Sequence, residues 1–242
     1  MSAFRAVIFD FFGTLTEAVQ RGPRHARIAR GLGCDPASMI DVLDRSFLDR
    51  ARGTYGDAAD TLRWVCAQAG ARPSAAQLRA GLAGRLSAVA ADTRLRADAV
   101  STLRAVRALG LRTGVISDCG YELPRILPTL PVARLLDATV FSVQVGRCKP
   151  DPAIYLTACA RLGVSPRECL YVGDGGSQEL TGAGAVGMTA VRLAAPDLVN
   201  HLVFAADHDF LGRSVRSLGE LLTLLAPSGV PVRAREPELA LV

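Results

Sequence analysis

The chain has 242 residues, half of them apolar, enough for one large domain or a core domain with an insert. Its 28 basic and 23 acidic residues leave a net charge of +5, but no run of five or six like charges occurs, which argues against nucleic-acid partners and polybasic membrane segments. Six cysteines without a C-x-x-C pair, three distant histidines, no long apolar stretch and no basic leader signal neither a zinc site, a disulfide framework nor a membrane partner, and read as a reduced, cytoplasmic protein.

In chain order, the apolar run ending at Asp10 predicts a strand over residues 5–10, with Gly13-Thr14 turning the chain after it. From His25 to Ala91 the periodicity is helical: Met39, Leu43 and Phe47 recur every fourth residue, Leu62 precedes Val65 and Cys66, and Leu78, Leu82 and Leu86 form another stripe. These read as faces of a small bundle with Trp64 in its core and Asp57 and Ser74 as N-caps. "ADAVSTLRAVRALG" then predicts a helix closed by Gly110, and "LRTGVIS" a strand ending at Ser117. "ATVFSVQ" and "ECLYVGD" repeat the strand type around the helix "PAIYLTACARLG", followed by a strand near "MTAVRL" and a last helix near "VRSLGELLTLL".

Strands alternating with helices predict an α/β fold, a Rossmann-like, mainly parallel sheet in two pieces, residues 1–16 and 92–226. A helical cap over residues 17–91 interrupts it, and residues 227–242 read as a mobile tail. The stretches Thr16 to Gly22 and Ala91 to Ala97 are the expected hinges for cap motion. Ligands of such sheets bind beyond the carboxyl ends of the strands, where Asp10, Ser117 and Asp174 all fall.

Taken singly, Asp10 reads as a turn former and Ser117 or Thr14 as a local capping hydroxyl. Lys149 stands apart because it is the sole lysine among 28 basic residues, as expected where a compact ammonium is needed and a planar guanidinium does not substitute. D-x-x-G-T at Asp10, the strand ending in Ser117, "CKPDP" with Lys149 and "YVGDGGSQE" with Asp174 and Glu179 occur in one order around a helical insert. In this the chain resembles the haloacid dehalogenase superfamily over about residues 4 to 225.

The resemblance implies a nucleophile at Asp10 that forms a covalent aspartyl intermediate, with Thr14, Ser117 and Lys149 completing the catalytic set. Phe12, Gly13, Thr14, Ser117, Asp118 and Lys149 are the implied substrate contacts, the Ser117 hydroxyl donating to a phosphoryl oxygen. It also implies Mg²⁺, held by Asp10, the backbone carbonyl of Phe12 and Asp174, with Glu179 reaching it through water.

Phosphatases of this family carry a second aspartate two residues after the nucleophile; here that position is Phe12. General acid–base help, worth about 10² to 10⁴ in rate, is thereby missing. Three readings follow: a Mg²⁺-dependent phosphohydrolase of a small phosphorylated anion, a 2-haloacid dehalogenase, or a catalytically feeble phosphate-binding protein. His25 and Asp57 are conceivable replacement proton sources, whereas Arg24, Arg27, Arg45 and Arg52 read as a solvated helix face.

Overall fold

The computed structural model describes residues 4–225; the tail expected from residue 227 lies outside them. β1 (Ala6–Phe9) is apolar throughout because it is buried on both faces at the middle of a six-stranded sheet. The other strands are β2 (Arg112–Ser117), β3 (Ala138–Phe141), β4 (Cys169–Gly173), β5 (Thr189–Leu193) and β6 (Arg213–Val215). Their order is β3-β2-β1-β4-β5-β6, and every neighbouring pair is parallel. The fold is therefore α/β and Rossmann-like.

Before β2 the chain runs through α1 (Arg24–Gly31), α2 (Pro36–Arg45), α3 (Phe47–Ala51), α4 (Ala58–Gln68), α5 (Ala75–Asp92) and α6 (Ala99–Ala108). The short helices α7 (Leu123–Ile126) and α8 (Ser142–Val145) follow β2 and β3, and α9 (Pro152–Leu162), α10 (Glu179–Ala185) and α11 (Leu221–Leu225) complete the set. Alternation along β1 divides the core: Val7 and Phe9 pack with Leu103 of α6 and Leu221 of α11, while Ala6 and Ile8 pack with Ile154 of α9 and Leu180 of α10.

Helices α1, α2, α4 and α5 bury a separate apolar cluster around Leu32, Met39, Leu62, Val65 and Leu78. Asp57 caps α4 by accepting from the backbone N–H groups of Ala59 and Asp60, and Ser74 forms a capping box with Gln77 at the start of α5. Trp64 packs partly buried against this cluster and stacks on Tyr55 with ring centroids 3.7 Å apart. Among the described residues no helix is long and apolar enough to cross a membrane, and all six cysteines are buried free thiols.

Two local expectations are corrected. Of the segment expected as the terminal helix from Val215, Val215 instead closes β6, paired with Leu193, residues 216–220 turn the chain, and only Leu221–Leu225 is helical; pairing at the sheet edge outweighs the local helical pattern at its start. "ATVFSVQ" is strand only to Phe141, after which α8 turns the chain and ends at Gly146 in the left-handed region.

The two crossings between sheet and helical insert lie side by side. Thr16 bridges Leu95, Glu17 N–H donates to the Arg94 carbonyl at 2.8 Å, and Arg96 N–H donates to the Leu15 carbonyl at 3.0 Å. The Arg96 guanidinium reaches the carbonyls of Gly13 at 2.7 Å and Thr14 at 3.0 Å, and pairs with Asp197. One side chain thus ties the turn after β1 to both neighbouring segments. Arg96→Met should lower the unfolding free energy by about 1–3 kcal/mol in urea titrations, because two carbonyls lose charged donors; unchanged stability would show that the turn holds itself.

Candidate active site

The register of the central strands brings the site together. Phe9 pairs with Val115 on one side and Val172 on the other, so Asp10 emerges between the ends of β2 and β4, where Ser117 and Asp174 lie. Lys149 Nζ sits 2.6 Å from Asp10 Oδ1 and 2.5 Å from Glu179 Oε2, with all three residues almost fully buried. Glu179 is further fixed by the Tyr171 hydroxyl at 2.8 Å and the Gly175 N–H at 2.9 Å. The ligand atoms of Asp10, Asp174 and Glu179 lie within 4.8 Å of one another.

The electrostatics are lopsided. Asp10, Asp118, Asp174 and Glu179 stand about one lysine. Burial and the nearby Glu179 push the Asp10 carboxyl from 3.8 up to about 7, against the opposing pull of Lys149. Burial, then Glu179 and Asp10, push Asp174 well above the carboxylate range, and burial raises Asp118. For Lys149 burial disfavours the charge, but Asp10 and Glu179 outweigh it and hold the ammonium well above its usual value.

A cavity of about 190 Å³ opens between this group and helices α2, α3 and α5, with Phe12, Asp118, Lys149 and Asp174 in its wall. Among the described residues the Thr14 and Ser117 hydroxyls and Asp118 Oδ2 are buried without a hydrogen-bond partner, as unsatisfied groups awaiting a ligand would be. The other oxygen of Asp118 accepts from the Lys149 backbone N–H at 3.1 Å. Phe12 meets Phe11 edge-on and packs on the core. The structure thus collects Asp10, Phe12, Thr14, Ser117, Asp118, Lys149, Asp174 and Glu179 at one sheet edge, with Gly13 in the turn between them.

Gly13 is required by its surroundings. It lies in the left-handed region, and a Cβ there would come within 2.6 Å of His201 Nε2 and 2.9 Å of Asp174 Oδ2. His201, which no sequence motif marks, is held by the Val19 N–H donating to Nδ1 at 2.8 Å, so Nε2 carries the hydrogen and lies 3.3 Å from Asp174 Oδ2. Burial, then Arg96, lowers its proton affinity and favours the neutral ring. Its segment is stitched down by Ser177 and Gln178 N–H groups donating to Phe204 and Ala205 carbonyls, and Phe204 stacks on Phe47 of α3 with centroids 4.3 Å apart. The two proton sources suggested by sequence are otherwise occupied: Asp57 caps α4, and His25 Nε2 pairs with Asp92 at 2.8 Å, though His25 does line the cavity.

A haloacid dehalogenase-like hydrolase family model matches residues 4–187. The chain belongs to that family. It is 30% identical over 234 residues to an (S)-2-haloacid dehalogenase of Burkholderia cepacia, covering 93% of this chain and 96% of the relative. It is also 27% identical over 196 residues to a glyceraldehyde 3-phosphate phosphatase of Methanopyrus kandleri, covering 78% of this chain and 83% of that enzyme. A 2-haloacid dehalogenase crystal structure from Pseudomonas syringae superimposes with a TM-score of 0.66 at 19% identity, covering 92% of this chain and 98% of that one, which shows the shared fold. This haloacid dehalogenase-like chain is thus a hydrolase, related to enzymes of both chemistries.

The crowding of carboxylates has a stability consequence. Between pH 3.8 and about 7 the folded chain keeps a proton on Asp10 that the unfolded chain has released, so stability falls as pH rises through that window. Asp10→Asn removes this penalty. In chelator the variant should melt several degrees above the native protein at pH 8, with the gap closing towards pH 4; a native protein as stable as the variant at pH 8 would refute it.

Proposed function

We propose that this haloacid dehalogenase-like chain is a Mg²⁺-dependent phosphohydrolase that acts on a small phosphorylated anion through Asp10. The observation that carries the reading is Asp174, at the end of β4 beside Asp10, whose side chain is only 6% exposed and which pairs, among the described residues, with a neutral imidazole and no cation. Lys149 offsets only part of the clustered negative charge, so the donor set of Asp10 and Asp174, all hard oxygens, fits a divalent cation. When bound, Mg²⁺ would neutralise the carboxylates and a phosphoryl oxygen. The cavity lies below the roughly 300 Å³ at which drug-sized ligand pockets begin, which suits a small metabolite.

Within this reading Lys149 holds Asp10 in place through Oδ1, and the free oxygen attacks phosphorus. The Asp10 O–P bond forms as the ester P–O bond breaks, and the leaving oxygen departs with the electron pair. The Thr14 and Ser117 hydroxyls, unpartnered in the protein, donate to the phosphoryl oxygens, and Asp118 orients Lys149 through its backbone N–H. Water then attacks the phosphorus, the Asp10 O–P bond breaks with its electron pair returning to the Asp10 carboxylate, inorganic phosphate leaves, and the proton lost by the water passes to the phosphate or to solvent. Phe12 has no proton to give the leaving oxygen, which favours substrates whose leaving group departs unprotonated. Cytoplasmic placement accords with the six free thiols.

The aromatic Phe12 and the dehalogenase relatives favour a second reading, displacement of halide from a 2-haloacid by the same carboxylate, without metal. Phosphate release that requires Mg²⁺ and vanishes in Asp10→Asn is expected from the first; halide release indifferent to EDTA would replace it with the second. Mg²⁺ should also raise the melting temperature of the native protein but not of Asp174→Asn, a result that needs no substrate. Phe12→Asp should accelerate hydrolysis of alkyl phosphates at least about tenfold, and an unchanged rate would show that proton transfer does not limit turnover.

A further inference from the structure

The cavity has a second charged wall. Three arginines of the helical insert or its approach line it, and two are already paired: Arg85 with Glu122 at 2.7 Å, and Arg21 with Asp44. Arg50 is not. It is 8% exposed, and among the described residues no carboxylate lies within ion-pair distance of it. Two of its donors are used, Nε to the Ser46 hydroxyl at 3.1 Å and Nη2 to the Leu43 carbonyl at 2.6 Å, while Nη1 takes no partner. Burial, and then the neighbouring Arg85, lower its proton affinity to about 10, while Glu122 and Asp44, each already paired with another arginine, support its charge from beyond ion-pair distance, so it remains a cation at neutral pH.

Three arginines thus share two acids, and the charge left uncompensated in a buried place is costly unless a ligand supplies the balance. Arg24, Arg27, Arg45 and Arg52, which read from the sequence as a solvated helix face, are all exposed, and the last two pair with Asp41 and Asp49. We propose that Arg50 binds a carboxylate carried by the substrate itself, so that the molecule hydrolysed is a small phosphorylated carboxylic acid with its phosphoryl group at Asp10. The identity of the phosphoryl end rests on the function proposed above; the carboxylate end rests on Arg50. A guanidinium fork presents parallel N–H groups to the two oxygens of a carboxylate, and the small cavity leaves room for a short linker between the two anions. A purely structural Arg50, tying the end of α2 to α3 through Leu43 and Ser46, would bind ligands with and without a carboxylate alike.

The test compares matched probes. In calorimetric titrations with Mg²⁺ present, native protein should bind phosphonoacetate about 10- to 100-fold more tightly than ethylphosphonate, which has a methyl group in place of the carboxylate. Arg50→Met should shrink that ratio towards one, and Arg50→Lys should restore part of it, with melting curves confirming that both variants fold. Equal binding of the two phosphonates by the native protein, or a preference that survives in Arg50→Met, would overturn the assignment. The matched esters 2-phospholactate and isopropyl phosphate separate the two claims. Hydrolysis of both at equal kcat/KM would refute the role of Arg50 and leave the phosphohydrolase standing. Hydrolysis of neither ester, nor of acetyl phosphate, whose leaving carboxylate needs no proton, with the phosphonoacetate preference intact, would support Arg50 and refute the phosphohydrolase.

Discussion

Everything at the sheet edge is arranged around one ammonium group. Lys149 lies between Asp10 and Glu179, fully out of water, and its charge is held there only because two carboxylates face it. Glu179 in turn is fixed from three sides, by Lys149, the Tyr171 hydroxyl and the Gly175 N–H. Gly173 belongs to the same arrangement: the Glu179 carboxylate folds over it so closely that no Cβ fits there. A lysine suits this position and an arginine does not, because a compact charge must touch two carboxylates at once in a space with no room for a planar fork. In a chain that otherwise uses arginine throughout, that requirement leaves its mark on the composition.

The same arrangement polarises the cavity. On the sheet side the acids outnumber the single lysine, while on the insert side Arg21, Arg50 and Arg85 share Asp44 and Glu122, and Arg50 makes no ion pair of its own among the described residues. Each wall therefore lacks the charge that the other has in surplus, yet the two cannot neutralise each other across the open space between them. A ligand that brings a cation to one wall and an anion to the other removes both deficits. Segment 196–210 strengthens this by closing the cavity's flank: His201 and Phe204 enter it, and backbone hydrogen bonds to Ser177 and Gln178, both in the left-handed region, hold the segment down.

What could be read in the sequence was what depends on local pattern. β1 announces itself as an apolar run stopped by Asp10, and Asp57 and Ser74 precede helical stripes as good N-caps do. The ends of β2 and β4 were equally legible, since residues that must face a ligand interrupt apolar strands. β6 was not, because three residues at a sheet edge are specified by the strand they join and carry too little pattern of their own. His201 and Arg50 were hidden for different reasons. His201 reaches the site only through tertiary hydrogen bonds from Val19 and its own irregular segment. Arg50 is one of 27 arginines by composition, and burial without an ion pair of its own among the described residues is what marks it.

Phe12 shows why charge and proton handling need to be considered apart. The site has fixed groups for charge at every point: Lys149 at Asp10, hydroxyls at Thr14 and Ser117 with no partner among the described residues, and the clustered carboxylates of Asp10, Asp174 and Glu179. For the proton on a leaving oxygen the equivalent position carries a phenyl ring, packed edge-on against Phe11 and contributing only apolar wall. His201 does not fill the gap by geometry, since its Nε2 hydrogen is directed at Asp174 and its other nitrogen is held by Val19. Under the phosphohydrolase reading, turnover then depends on the stability of the departing group, and selection among substrates passes to whatever binds the rest of the molecule. On that logic a distant, unpaired arginine gains importance because the chemistry near Asp10 discriminates less.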